Sequence, residues 1–248
     1  MRAADKRLDQ LLVERGLAET RARAQALVLA GEVWSGEKRL DKPGLRLTDL
    51  APLRVKGRDH PYVSRGGIKL DHGLAYFGFD PRDKVALDIG ASTGGFTDVL
   101  LSRGAKRVFA VDVGHGQLAW KLRQDPRVVV FERVNARHLS TEQIPEPVDM
   151  IVCDASFIGL EIVLPAALAL VAPNADLIAL IKPQFEVGKS RVGRGGVVRE
   201  PALHAEVRSR ITAWLGKQPG WQVIGTTESP IRGPDGNIEF LIGARHRA

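Results

Sequence analysis

Val85-Ala86-Leu87-Asp88-Ile89-Gly90-Ala91-Ser92-Thr93-Gly94-Gly95-Phe96-Thr97 is an apolar run that breaks into glycines and reopens as a helix start. Glycine lets the backbone turn tightly and approach a bound group closely. The spacing of Gly90, Gly94 and Gly95 is Gly-x-x-x-Gly-Gly, not the Gly-x-Gly-x-x-Gly of dinucleotide enzymes, and no Gly-Lys-Ser/Thr follows as in a P-loop. The next run, Val108-Phe109-Ala110-Val111, ends in Asp112. Further apolar runs lie at 128–131, 150–153, 177–181, 222–226 and 238–242, with helical stretches between them. This alternation predicts an α/β fold with a doubly wound, mainly parallel sheet, whose ligands bind beyond the carboxyl ends of the strands.

An acid at the end of the second strand can accept hydrogen bonds from both hydroxyls of a ribose. The glycine loop and Asp112 together resemble the first two motifs of Rossmann-like methyltransferases. That resemblance implies S-adenosylmethionine as cofactor, bound by Asp88, Gly90, Ser92, Thr93, Gly94, Gly95, Phe96, Thr97 and Asp112, with Asn135 and Ala136 against the adenine. Asp154 and Lys182 end the fourth and fifth runs and are expected to face the same crevice. Asp154 is followed by Ala155-Ser156-Phe157, not by the Pro-Pro-Tyr/Phe typical of enzymes that methylate exocyclic base nitrogens. A cytosine-C5 enzyme needs a nucleophilic cysteine, and Cys153 is the only cysteine. Side chains alternate along a strand, so with Asp154 in the crevice Cys153 points into packing and is expected to be an inert thiol.

The first 58 residues carry 13 of the 36 Lys and Arg against 8 of the 29 Asp and Glu, so most of the net charge of +7 lies there. A concentrated positive field points to a polyanionic partner. Leu8, Leu11 and Leu12 make one helix face, which Gly16 is expected to end. Thr20 is placed to cap a second helix, with Gly31 ending it and Ala24, Leu27 and Val28 inward. Short β-like pieces follow at 32–34 and 53–56. The pattern Arg7-Leu8-Asp9, then Thr20-Arg21-Ala22-Arg23-Ala24, then Gly31-Glu32-Val33 resembles the S4 RNA-binding domain. It implies that Arg7, Arg15, Arg21 and Arg23 meet an RNA backbone, a task suited to the planar guanidinium fork. The polar stretch before Tyr62 reads as a linker. The expected organisation is an S4-like domain at 1–57, a linker at 58–62 and a methyltransferase domain at 63–248.

Two more segments widen the resemblance. They are Ser64-Arg65-Gly66-Gly67-Ile68-Lys69 and Gly233-Pro234-Asp235-Gly236-Asn237-Ile238-Glu239. With Asp154-Ala155-Ser156-Phe157 and Lys182-Pro183-Gln184-Phe185-Glu186, they are similar over nearly the whole chain to the TlyA family, which joins an S4 domain to a domain like the FtsJ ribose 2′-O-methyltransferases. The resemblance implies a catalytic tetrad of Lys69, Asp154, Lys182 and Glu239, methylation of ribosomal RNA on cytidine ribose, and ribosomal RNA or ribosomal subunits as partner. Some members are named hemolysins. A ribose hydroxyl barely ionises at neutral pH, so the tetrad's task is alignment and removal of one proton. A basic, glycine-rich loop at 188–199, with Lys189, Arg191 and Arg194, is expected to be mobile and to clamp RNA together with Arg65.

Composition narrows the alternatives. No apolar run approaches the ~20 residues that span a bilayer, and the charged start lacks the apolar stretch of a signal peptide. The expected location is the cytoplasm, with a single cysteine in keeping with a reducing compartment. No membrane partner and no metal are expected. A membrane-active hemolysin would need a span, a strongly amphipathic helix or a secretion signal. A non-catalytic RNA-binding protein on the same fold differs from the enzyme only in methyl transfer.

Overall fold

The computed structural model describes residues 5–15, 17–18, 20–48, 51–55, 60–233 and 235–247. Gly16, Pro234 and residues 58–59 of the expected linker lie outside the described residues, as does the side chain of Lys189. The chain divides into two compact units, Met1–Pro61 and Tyr62–Ala248.

In the first unit, β1 (Asp5–Arg7) leads into α1 (Leu8–Glu14), and α2 (Arg21–Leu29) follows. Thr20 Oγ1 accepts the amide of Arg23 at 3.1 Å and caps α2, while Gly31 takes the left-handed conformation just past its end. Four short strands come next: β2 (Val33–Ser35), β3 (Lys38–Arg39), β4 (Arg46–Thr48) and β5 (Arg54–Val55). β1 pairs with β4, and β3-β2-β5 form an antiparallel three-stranded sheet. Leu8, Leu12, Ala24, Leu27 and Val28 from the helices close one small core with Val33 and Leu40. β1, β3 and β4 escape periodicity because two or three residues are too few to carry a readable alternation.

The second unit opens with α3 (Gly66–Phe77), then β6 (Val85–Ile89), α4 (Gly95–Ser102), β7 (Arg107–Asp112), α5 (Trp120–Arg123) and β8 (Val128–Glu132). It continues through β9 (Val148–Cys153), α6 (Leu160–Val163), α7 (Pro165–Leu168), β10 (Val171–Ile181), α8 (Pro183–Glu186), α9 (Pro201–Leu215), β11 (Trp221–Glu228) and β12 (Phe240–His246). The seven strands lie in the order β11-β12-β10-β9-β6-β7-β8. β6 to β10 run parallel, and β12 alone is reversed, antiparallel to both β10 and β11. From β6 the chain winds outward through β7 and β8, then returns to the other side through β9 and β10. That reversal opens a crevice at the carboxyl ends of β6 and β9. A buried apolar cluster covers each face of the sheet, one including Leu87, Ile151 and Ile211 and the other Leu70, Leu100 and Met150. The sheet therefore has two dry faces, as a parallel sheet requires.

Candidate active site

Four charged side chains converge from four elements. Lys182 follows the last residue of β10, where Pro183 stops the strand and starts α8. Its Nζ contacts Asp154 Oδ1 at 2.7 Å and donates to Ser156 Oγ at 2.8 Å and to the Asp154 carbonyl at 3.1 Å. Nζ thus makes two hydrogen bonds and one ion-pair contact, and among the described residues Asp154 Oδ1 accepts no hydrogen bond. Asp154 follows β9, and its amide donates to Ile89 O at 2.9 Å, which fixes it beside the end of β6. Lys69, in the first turn of α3, donates to Glu239 Oε2 at 2.5 Å. That pair is nearly dry, with side chains 8% and 1% exposed. An ion pair so placed persists only when its geometry is good, because both charges have left water. All four residues line one cavity of about 300 Å³, together with Ser64 and Arg65. Lys69 is thus held by Glu239, and Lys182 by Asp154 and Ser156. Sequence reasoning gave Ser156 no role; its only signal was its place two residues beyond Asp154.

A second cavity, of about 360 Å³, shares Gly90, Ser92, Asp154 and Ser156 with the first and extends between the ends of β6, β7 and β9. Asp112 lies on its wall. Its carboxylate accepts the amides of Ser92 at 2.8 Å and Gly114 at 2.6 Å, so the acid also shapes the glycine loop. Gly90 has φ +78°, and a Cβ there would stand 2.9 Å from the Ala155 backbone, so only glycine lets the two strand-end loops approach. Asn135 and Ala136 line the same cavity, although Asn135 Oδ1 already caps a short turn by accepting from Arg137 N at 3.1 Å. Thr93, Gly95 and Phe96 face the first cavity instead. Asp88, Gly94 and Thr97 line neither. Asp88 is fully buried and accepts from Thr97 Oγ1 at 2.6 Å. Burial pushes its carboxyl up to about 7, against the pull of that hydrogen bond. Val113, Gly114 and Gln117, which no sequence pattern had marked, also line the second cavity, as does Phe157, quoted in a motif but given no role. Cys153 packs in the core, where burial pushes its thiol up to about 12; a thiol so placed is inert.

The proposed RNA residues divide by environment. Asp9, fully buried in α1, receives Arg7 at 3.0 Å, Arg21 at 3.0 Å and Gln25 at 2.8 Å. The Arg7 hydrogen bond, first among these, holds the Asp9 carboxyl well below the usual range despite burial. Arg7 and Arg21, 39% and 52% exposed, are thereby fixed side by side. Arg15 donates to the Ala51 carbonyl at 2.6 Å, and Arg23 is exposed. Arg65 borders the first cavity and donates to Arg232 O at 3.2 Å. The loop at 188–199, expected to be mobile, is tethered. Arg191 pairs with Glu206 at 2.8 Å. Buried Asn237 bonds both Val198 N and Gly196 O at 3.0 Å. Arg194 stays exposed. Glycine and cation content suggested mobility because a partner 40 residues away leaves no local signal. Among the described residues, no helix is long and apolar enough to cross a membrane.

Comparison with known proteins adds to this geometry. The FtsJ-like methyltransferase model matches residues 62–246, and the S4 domain model matches residues 6–49. A Bacillus subtilis protein described as a candidate rRNA methyltransferase, YqxC, is 50% identical over 98% of this chain and 86% of its own length. The 16S/23S rRNA (cytidine-2′-O)-methyltransferase TlyA of Mycobacterium tuberculosis is 47% identical over 96% of this chain and 89% of its own. A solved structure from Streptococcus thermophilus, described as a candidate hemolysin, is 43% identical. It covers 99% of this chain and 90% of that one, with a TM-score of 0.76.

Proposed function

The chain belongs to the FtsJ-like methyltransferase family, with an S4 domain at its N-terminus, and from that premise we propose that it methylates the ribose 2′-hydroxyl of ribosomal RNA, at cytidine, using S-adenosylmethionine. The observation that carries this reading is the junction of the two cavities at Asp154 and Ser156. One chamber gathers two lysines and two carboxylates and the other ends in Asp112. The Mycobacterium tuberculosis relative, named for this reaction, supports the nucleotide and the RNA.

The second chamber fits the cofactor by its chemistry. Asp112 offers carboxylate oxygens with lone pairs left over for two ribose hydroxyls, Gly90 admits close backbone approach, and Asn135 and Ala136 close the far wall. When bound, S-adenosylmethionine supplies an electrophilic methyl group on a sulfonium. The chain's own work is to seat a ribose in the first chamber and take its 2′-hydroxyl proton. Lys182 Nζ is the acceptor of that proton. Asp154 and Ser156 aim it, which supplies the alignment that a weak nucleophile needs. Lys69, braced by Glu239, sets a fixed positive charge beside the oxygen that loses the proton. Phe157 is 90% exposed at the rim of the second chamber, an aromatic face on which an unpaired base can stack. Arg7 and Arg21, pre-ordered on Asp9, suit backbone phosphate. Cytoplasm, where ribosomes are made, is the compartment this function requires. Incubating the protein with methyl-labelled S-adenosylmethionine and ribosomal subunits lacking the modification tests the reading: label in the RNA is expected, and label in neither subunit would overturn it.

A further inference from the structure

Glu186 is the last residue of α8, four positions beyond Lys182, and its side chain is 4% exposed. It lines neither cavity of the site. Its Oε1 accepts the amide of Leu160 at 2.8 Å, and Leu160 begins α6, six residues beyond Asp154. One carboxylate therefore ties the segment that follows Lys182 to the segment that follows Asp154. Behind it, Arg210 of α9 donates to Glu186 Oε2 at 2.8 Å and to the Glu186 carbonyl at 3.0 Å, and also pairs with Glu161 of α6. The spanned segment carries a strained residue, since Phe157 has φ +65°. A bulky side chain in that region persists only where its surroundings over-determine it. Gly159 leaves the room: a Cβ there would stand 3.2 Å from Glu186 Oε2. The Phe185 ring, next to Glu186, packs 5.0 Å from that of Phe157.

We propose that Glu186 is a positioning residue for methyl transfer, holding the two strand-end segments in the register that sets Asp154 and Ser156 against Lys182 and keeps Phe157 in its strained conformation. The inference rests on the ribose-methylation reading for its kinetic consequence, but not for its structural one. The reach of the side chain is what matters. An amide oxygen can replace Oε1 at Leu160, losing the Arg210 contact at Oε2 while Arg210 keeps the Glu186 carbonyl and Glu161, whereas a side chain one methylene shorter keeps the charge and loses the reach.

Glu186→Ala, Glu186→Asp and Glu186→Gln are compared in the full-length protein by two measurements. The first is hydrogen exchange over residues 155–162 without RNA or cofactor. Protection is expected to be lost in the alanine and aspartate variants and kept in the glutamine variant. The second is the single-turnover rate of methyl transfer at saturating cofactor and ribosomal subunit. It is expected to fall about ten- to a hundredfold in Glu186→Ala and Glu186→Asp, the scale set by a displacement near 1 Å, and to recover to within about threefold in Glu186→Gln. A general loss of fold would lower thermal stability and spread fast exchange beyond the segment. Should Glu186→Ala not fold, the Asp and Gln pair carries the comparison. Unchanged exchange in Glu186→Asp, or a Gln variant slower than the Asp variant, overturns the inference by making charge, not reach, the function. Transfer absent from the wild-type protein would refute ribose methylation and leave the exchange result to decide the clamp.

Discussion

Lys182 is where a single change reports most about the chemistry. Its Nζ has three oxygens within 3.1 Å, two as hydrogen-bond acceptors and one as an ion-pair contact, and its side chain is 8% exposed. Lys182→Met keeps most of the volume and removes the amine. Losing a general base costs about 10²–10⁴ in rate, or roughly 3–5 kcal/mol of barrier, and lost alignment adds to that. The stability cost is smaller. Asp154 loses its cation, but at 22% exposure it keeps access to water. About 1–3 kcal/mol is the scale for one unpaired polar group, which a domain with 5–15 kcal/mol in hand tolerates. Lys182→Arg is expected to fail like Lys182→Met, because a guanidinium does not deprotonate near neutral pH. Single-turnover methyl transfer, paired with cofactor titration, measures both. The expected result is a rate lower by at least two orders of magnitude in both variants, with cofactor affinity within about threefold of wild type. An arginine variant within tenfold of wild type would refute the base role. Lost cofactor binding in the methionine variant would mean that Lys182 builds the pocket and does not work in it.

Asp112→Ala is expected to weaken S-adenosylmethionine binding by calorimetry at least tenfold, since it removes the proposed ribose acceptor and the partner of two loop amides; equal affinity would exclude Asp112 from the site. Asp88 titrates higher in the folded chain, about 7, than the 3.8 of a free side chain. Its stabilising contribution is therefore full below pH 4 and lost as pH rises towards 7. Asp88→Asn should gain on wild type across that window, by up to roughly 4 kcal/mol, and level off above it in urea unfolding of the free protein; a gain that is flat with pH would refute the assignment. Arg7→Gln with Arg21→Gln is expected to flatten the slope of log RNA affinity against log salt by about 1.4–1.8, on 0.7–0.9 per phosphate contact. An unchanged slope would place the RNA footprint elsewhere.

How far the sequence could be read varied with the range of the forces involved. The strand ends at Ile89, Asp112, Cys153 and Ile181 were legible because buried parallel strands are continuous apolar runs closed by a polar residue. Those ends fix Asp154 and Lys182 at the crevice. β10 begins at Val171, well before its apolar run at 177, because Asn174 and Asp176 interrupt the pattern, and Asp176 is kept there by Lys84 at 2.6 Å and Arg245 at 2.8 Å. The reversed direction of β12 was not legible, since alternation has no sign. Pairings were legible only through the tetrad that the resemblance implies, with Asp154 as the partner that orients Lys182 and Glu239 as a holder of Lys69 or the ribose; both pairs form, the second across 170 residues. Asp9 read as one more charge in a basic region, yet it is the buried anchor of two arginines.

The central claim is the atom that receives the methyl group. RNA from subunits methylated with labelled S-adenosylmethionine is digested to nucleosides and separated by mass. Label is predicted in 2′-O-methylcytidine, with the labelled methyl on the ribose fragment. Label on the base fragment, or on a nucleoside other than cytidine, would contradict the account.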